Sequence, residues 1–256
     1  MNRFELIPRQ VLVRPWKADS RMPSGRIAVA HAVLWRLLSV LGLVLISRPA
    51  PASDSAGCEP GTILEQTTGL RPEVLDLAFR AYRHARDSGI VTRATLTIID
   101  YELPSYEKRL WVINMDSGRV LHEELVAHGM GVPRGSGGTM THALSFSNDD
   151  GTRKSSLGLL ITAETYHGKH GYSLKLDGLE PGYNDNARQR YIVIHGAHYV
   201  TAHRAENQLI GRSWGCPVLR PQISSSLIDT IREGSLLWVY YPEPKWLSES
   251  RFLEIE

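Results

Sequence analysis

Two residues of this 256-residue chain, His195 and Cys216, have the types and settings from which covalent catalysis could be built. A thiol attacks a carbonyl only as thiolate, so it needs a base or a positive charge close by. His195 closes the apolar run Tyr191-Ile192-Val193-Ile194 and is followed by Gly196, which places an imidazole at a strand end where it can act as that base. Cys216 lies in Gly211-Arg212-Ser213-Trp214-Gly215-Cys216-Pro217. There Gly215 allows close backbone approach to a substrate, and the Gly215 and Cys216 amides are candidates for an oxyanion pocket. Taken alone, the two residues read first as an inert buried thiol and a satisfied core histidine. The nearby glycines and Arg212 narrow that preference without reversing it.

The elements that must position such a pair are mostly strands. Pro72 begins a helix over Pro72–Asp87, with Val74, Leu75, Ala78, Phe79 and Tyr82 at helical spacing and Gly89 as the stop. From Arg93 the period shortens. Residues 95–99, 109–114 and 119–125 are β-rich runs parted by turn residues such as Asp116-Ser117-Gly118. Further strands are expected at 157–162, 172–176, 191–195 and 236–241, and one helix at 222–231 after Pro221. Trp111 and Trp238 lie within β runs and are assigned to the core. Gly135-Ser136-Gly137-Gly138 has no following Lys-Ser/Thr and reads as a loop, not a phosphate cradle. The fold class is α+β, mainly β, in one domain.

Charge and cysteine usage bound the partners. Eight of the 29 Lys+Arg and two of the 27 Asp+Glu fall in residues 1–52, so the rest of the chain is net acidic by four. Such a body is a poor nucleic-acid partner. Two cysteines are too few for a disulfide-stapled scaffold or a four-cysteine zinc site. The basic lead runs into Leu37-Leu38-Ser39-Val40-Leu41-Gly42-Leu43-Val44-Leu45-Ile46 and then Ala50-Pro51-Ala52, the three parts of a secretory signal peptide. The expected organisation is a leader over 1–52, a linker over 53–70, a catalytic domain over 71–242 and a tail over 243–256. The expected location is the periplasm or cell envelope of a bacterium; the alternative is an uncleaved leader that anchors the chain in the membrane through Ile27 to Ile46.

His195, seventeen intervening residues and Ser213-Trp214-Gly215-Cys216 resemble the signature of the YkuD-type L,D-transpeptidases. Phe146-Ser147-Asn148, Ser155-Ser156-Leu157-Gly158, Gly168-Lys169-His170-Gly171 and Gly178-Leu179-Glu180 follow the order of the murein L,D-transpeptidase catalytic domain family, and His128-Gly129-Met130-Gly131 resembles its early Gly segment. The resemblance covers about residues 72–242. It implies a YkuD-like β-sandwich or barrel with few helices, acting in cell wall biogenesis on peptidoglycan stem peptides as donor and acceptor. It implies Cys216 as the cysteine nucleophile, His195 as base with the Gly196 carbonyl orienting it, and Gly215 and Cys216 amides at the oxyanion. The implied transferase reaction forms a thioester with a stem and passes it to an amine. The alternatives are hydrolysis of the same acyl-enzyme by a carboxypeptidase or endopeptidase, and a non-catalytic wall-binding module. Trp214 and Val218 depart from the family pattern, the first at a position that shapes the donor pocket.

Arg212 is a candidate for a substrate carboxylate, since guanidinium binds carboxylate bidentately. Ser213, Trp214, Tyr199, His167 and His170 complete the substrate-binding set, with His142 as a further cleft candidate. Arg188 and Arg190 read as solvated or structural charges. No cofactor and no metal are assigned. His167/His170 and His195/His198, with His203 and Asp185, are a zinc alternative that lacks the helical His-Glu-x-x-His pattern.

Overall fold

The computed structural model describes residues 58–131 and 141–254. The expected leader, the first part of the expected linker and the Gly135–138 run lie outside the described residues. The elements in order are α1 (Pro60–Gln66), α2 (Pro72–Asp87), β1 (Thr95–Asp100), β2 (Leu110–Asn114), β3 (Arg119–Glu124), β4 (Gly158–Gly168) and β5 (Gly171–Gly178). They continue with β6 (Val193–Gly196), α3 (Ala202–Glu206), β7 (Val218–Leu219), α4 (Pro221–Ile231), β8 (Leu236–Tyr240) and α5 (Pro244–Glu249). The eight strands form one sheet in the order β3-β2-β1-β8-β4-β5-β6-β7. The β1–β8 and β6–β7 pairs are parallel and the others antiparallel. This is the mainly β, α+β architecture expected from the sequence.

The central strands β1 and β8 are buried at every residue, because elements cover both faces and leave no solvent side to demand alternation. Helix α2 lays Val74, Leu75, Ala78, Phe79, Tyr82 and Ala85 on that core, and α4 contributes Leu227, Ile228 and Ile231. Trp111 and Trp238 are fully buried, as expected. Among the described residues no helix is long and apolar enough to cross a membrane.

Three local expectations are corrected. Part of the expected linker is α1, whose Ile63 is fully buried. Its Gln66 donates to the Gly118 carbonyl at 2.9 Å and accepts from the Val120 amide at 3.1 Å, which fastens the helix to the β2–β3 turn. The expected tail is packed through α5: Glu243 caps the Lys245 and Trp246 amides, and Trp246 and Phe252 are fully buried. The Trp246 indole N–H donates to Glu180, whose carboxylate also takes the Leu159 amide at 2.6 Å and the Ser250 hydroxyl. Tyr191 does not belong to its strand. It has φ +56° and is 82% exposed, and the strand begins at Val193.

Candidate active site

The register of two short strands brings His195 and Cys216 together. In the parallel β6–β7 pair His195 sits opposite Val218, so the residue two before Val218 lies level with Val193. That residue is Cys216, and the Val193 amide donates to its sulfur at 3.5 Å. Both side chains line a cleft of about 1070 Å³. Cys216 is half-buried and His195 buried.

The turn that carries Cys216 is built on the 127–130 segment. Ser213 donates its amide to the His128 carbonyl at 2.8 Å, and Met130 returns a bond to the Ser213 carbonyl at 3.0 Å. Within the turn the Ser213 hydroxyl donates to the Cys216 carbonyl at 2.6 Å and accepts from the Gly215 amide at 3.1 Å. Ser155 ties the layers by accepting from the Gly129 amide at 2.9 Å and donating to the Gly215 carbonyl at 3.3 Å.

The approach is too close for side chains at two glycines. A Cβ on Gly129 would sit 2.6 Å from the Arg153 carbonyl oxygen and 2.9 Å from the Gly215 Cα. Gly215 has φ +121°, a region nearly closed to other residues, and a Cβ there would lie 2.7 Å from both the Lys154 carbonyl and Ile192. Gly215→Ala is therefore expected to displace the turn, destabilise the protein by about 1–3 kcal/mol and leave little alkylation-sensitive activity. Thermal unfolding and rate measurements check this; an alanine variant with wild-type Tm and rate would refute it.

The imidazole is held in one tautomer. Its Nδ1–H donates to the Gly196 carbonyl at 3.0 Å, which leaves Nε2 with the free lone pair that a base requires. Burial pulls His195 below its ordinary value, and the Gly196 carbonyl opposes that shift, with His170 and Lys169 adding to it. Burial likewise raises the Cys216 thiol, against the lowering effects of the Val193 amide and of Arg190 and Lys169. Both shifts favour the uncharged forms, a thiol and a neutral imidazole. The thiol donates to the Tyr191 carbonyl at 3.6 Å, and no hydrogen bond joins it to His195. A proton transfer from Cys216 to His195 would need the sulfhydryl to turn off that carbonyl.

The Gly215 amide is engaged by the Ser213 hydroxyl in this state. The amides that face the sulfur are those of Val193 and Cys216.

The other expected residues divide. Arg212, Trp214, Tyr199, Ser213 and His170 line the cleft. Arg212 donates to the Met130 carbonyl at 3.0 Å and has no acidic partner among the described residues. Trp214 is 63% exposed, with the Arg153 guanidinium 4.3 Å over its ring. Tyr199 packs against Gly211, whose Cβ would meet its ring at 2.7 Å. His167 does not line the cleft: it sits on β4 opposite Tyr172, with the two rings 5.2 Å apart. His142 is also away from the cleft lining, its Nδ1 bonded to the Thr141 hydroxyl at 2.9 Å. Arg188 is in exposed ion pairs with Asp177 and Glu164, whereas Arg190 is largely buried and donates to the Lys154 carbonyl at 2.7 Å and the Ser156 hydroxyl at 2.9 Å. Among the described residues no three His, Cys, Asp or Glu side chains are grouped to hold a metal ion.

Sequence reasoning missed Arg153, Lys169 and Tyr191 on the cleft wall, and it missed Arg109 behind it. Arg109 is fully buried and donates to the Leu103 and Val126 carbonyls and to His128 Nδ1. Its position at the head of a β run was the available signal, since a charged residue there needs a partner.

A sequence profile described as the L,D-transpeptidase catalytic domain matches residues 66–240. No curated protein is significantly similar to the chain in sequence. Among solved structures, an L,D-transpeptidase from Mycobacterium smegmatis is 13% identical, covering 58% of this chain and 59% of its own, with a TM-score of 0.34. One from Xylanimonas cellulosilytica is 14% identical over 71% of this chain and 90% of its own, with a TM-score of 0.33. One from Stackebrandtia nassauensis is 17% identical over 66% and 67%, with a TM-score of 0.33. The chain spans about three-fifths of the Mycobacterium smegmatis structure.

Proposed function

The chain belongs to the L,D-transpeptidase catalytic domain family, and on that premise we propose that it is an exported cysteine transpeptidase that crosslinks peptidoglycan stem peptides in the bacterial periplasm. The observation that carries this reading is the meeting in one cleft of Cys216 with His195, whose Nδ1–H is committed to the Gly196 carbonyl.

In the first half-reaction Cys216 Sγ attacks the carbonyl of the L-centre of a diamino acid in the donor stem, and its proton passes to His195 Nε2. The oxyanion forms beside the Cys216 amide, with the Gly215 amide available once the Ser213 hydroxyl releases it. Collapse breaks the C–N bond, and the departing D-amino acid takes the proton from His195. In the second half a side-chain amine of another stem attacks the thioester, an amide forms, and the sulfur leaves with the amine's proton returned through His195. Because burial favours the uncharged forms of both groups, His195 works as a general base at the moment of attack.

The cleft wall supports an anionic substrate. Among the described residues Arg153, Lys169, Arg190 and Arg212 line it against one acid, Asp150, although the body of the chain is net acidic. A cleft of that sign gathers carboxylates, of which a stem peptide carries several. Arg212, uncommitted to any described acid, is the strongest candidate for direct contact.

Trp214 favours aminolysis over hydrolysis by placing an indole where it excludes water from the thioester. Trp214→His is expected to raise the share of trimmed monomer relative to crosslinked dimer, read by mass spectrometry of defined muropeptides. An unchanged ratio would remove this role. In the same assay the wild-type chain is expected to give a dimer. Loss of a terminal residue without any dimer would instead identify a carboxypeptidase, and no change at all would favour a wall-binding module.

A further inference from the structure

Strands β4 and β5 are joined by only two residues, Lys169 and His170, with Gly168 paired to Gly171 across the turn. Strand β5 also pairs Ser173 with His195, three residues beyond His170. The tight tip therefore folds over the end of β6, and the His170 ring lies on the His195 ring with centroids 4.3 Å apart and planes 22° apart. Among the described residues this is the ring contact that His195 makes. His195 is 3% exposed, whereas His170 is exposed on its other face.

We infer that His170 is a positioning residue for the base: from the hairpin tip its imidazole lies flat on that of His195, fixes the plane in which Nε2 points and shields that face from water. The inference rests on the reading of His195 as base. A single hydrogen bond to the neighbouring Gly196 carbonyl leaves the ring free to tilt, and the stack removes that freedom. The arrangement also favours the un-ionised base. Covering one face of the ring takes water from its protonated form, and a proton on both rings would set two cations face to face, with Lys169 on the same turn adding to the repulsion. Of the other groups around His195, the Gly196 carbonyl opposes this, and Asp150 is an acid on the same cleft wall. Helix α4 presents Pro221 and Ser224 toward Gly196, and Cys216, Tyr199 and Arg212 share the cleft. Both histidines sit below their ordinary values, His170 through burial and then Lys169, His195 through burial and then the charges of His170 and Lys169 against the pull of Gly196.

A base must be neutral to accept the thiol proton, so a lowered His195 extends activity to more acidic pH. The test is histidine-labelled NMR of the full chain, with the pH profile of acyl-enzyme formation beside it, for wild type, His170→Ala and His170→Phe. In His170→Ala the titration of His195 and the acid limb of the profile are both expected to move up by about half a pH unit or more, and the rate to fall. In His170→Phe the flat apolar ring is kept, so both are expected to stay at or below the wild-type position and the rate to recover. A His195 titration unmoved in His170→Ala would overturn the inference. If the titration moves as expected while no form of the protein is acylated, the positioning role stands and the proposed reaction falls.

Discussion

Cys216→Ala is expected to abolish acyl transfer, with a loss of about 10⁴-fold or more in the rate of dimer or trimmed-monomer formation from defined muropeptides. The sulfur is the atom that bonds to the donor in the proposed first half-reaction, and nothing beside it can take over. The thiol's other near neighbours are the Tyr191 carbonyl and the Val193 amide, neither a nucleophile. The second cysteine, Cys58, lies against Gly118 and is absent from the cleft lining. Losses of this size are ordinary when a covalent nucleophile is removed, because the whole two-step path goes with it. The fold should be spared. Cys216 is only partly buried against a small cluster of Leu125, Ala127, Val200, Ile210 and Val218, so trimming the sulfur costs about 1 kcal/mol. The check is product formation and thermal unfolding on the same preparation. Retained product formation by a well-folded Cys216→Ala protein would refute the assignment.

Arg109→Leu is expected to destabilise the protein by about 3 kcal/mol and lower its Tm by about 10 °C. Arg109 donates at 2.7 Å to the Leu103 carbonyl, at 2.8 Å to the Val126 carbonyl and at 2.8 Å to His128 Nδ1. Leucine would leave the Val126 carbonyl and His128 Nδ1 buried and unmet, each costing about 1–3 kcal/mol, and take the donor from the half-buried Leu103 carbonyl. Part of that is offset, because burial of the guanidinium, opposed by the charges of Tyr101 and Asp100, is itself unfavourable and holds it down to about 10. It remains charged at neutral pH. The damage should reach the site as well, since the His128 carbonyl carries the Ser213 amide and so sets the height of the nucleophile turn. Activity is therefore expected to fall even at temperatures where the variant is folded. A Tm within a degree of wild type would show that the network is dispensable.

The sequence made the large elements legible because their signals are local. Helix α2 announces itself by Pro72 and a clean apolar stripe, and β1 and β8 by β-branched and aromatic runs too long to be turns. Strand β7 has two residues and helix α3 five, too few for any period to register. Helix α5 sits in a polar-looking stretch whose burial depends on Glu180, 66 residues earlier, receiving the Trp246 indole N–H. No reading of the stretch alone contains that partner.

The residues of the candidate site were legible by type, and their geometry was less so. His195, Gly196 and Cys216 are brought together by the β6–β7 register, and Arg212 and Trp214 follow from their place in the turn. His167 and His170 looked equivalent, yet a two-residue turn separates their fates. His167 stays in the β4 ladder opposite Tyr172, while His170 occupies the tip and reaches His195. Reading Gly168-Lys169-His170-Gly171 as a tight hairpin would have told them apart. The engagement of the Gly215 amide by Ser213 and the burial of Arg109 depend on partners whose distances no spacing rule supplies.

The proposed covalent path is tested most directly by intact-protein mass spectrometry of the full chain mixed with a defined tetrapeptide muropeptide and quenched in acid. The expected result is a protein mass increased by the donor less its terminal D-amino acid, with the adduct on the peptide that contains Cys216 and lost to added thiol. A dimer or trimmed product formed with no adduct at any time, and formed equally by Cys216→Ala, would contradict it.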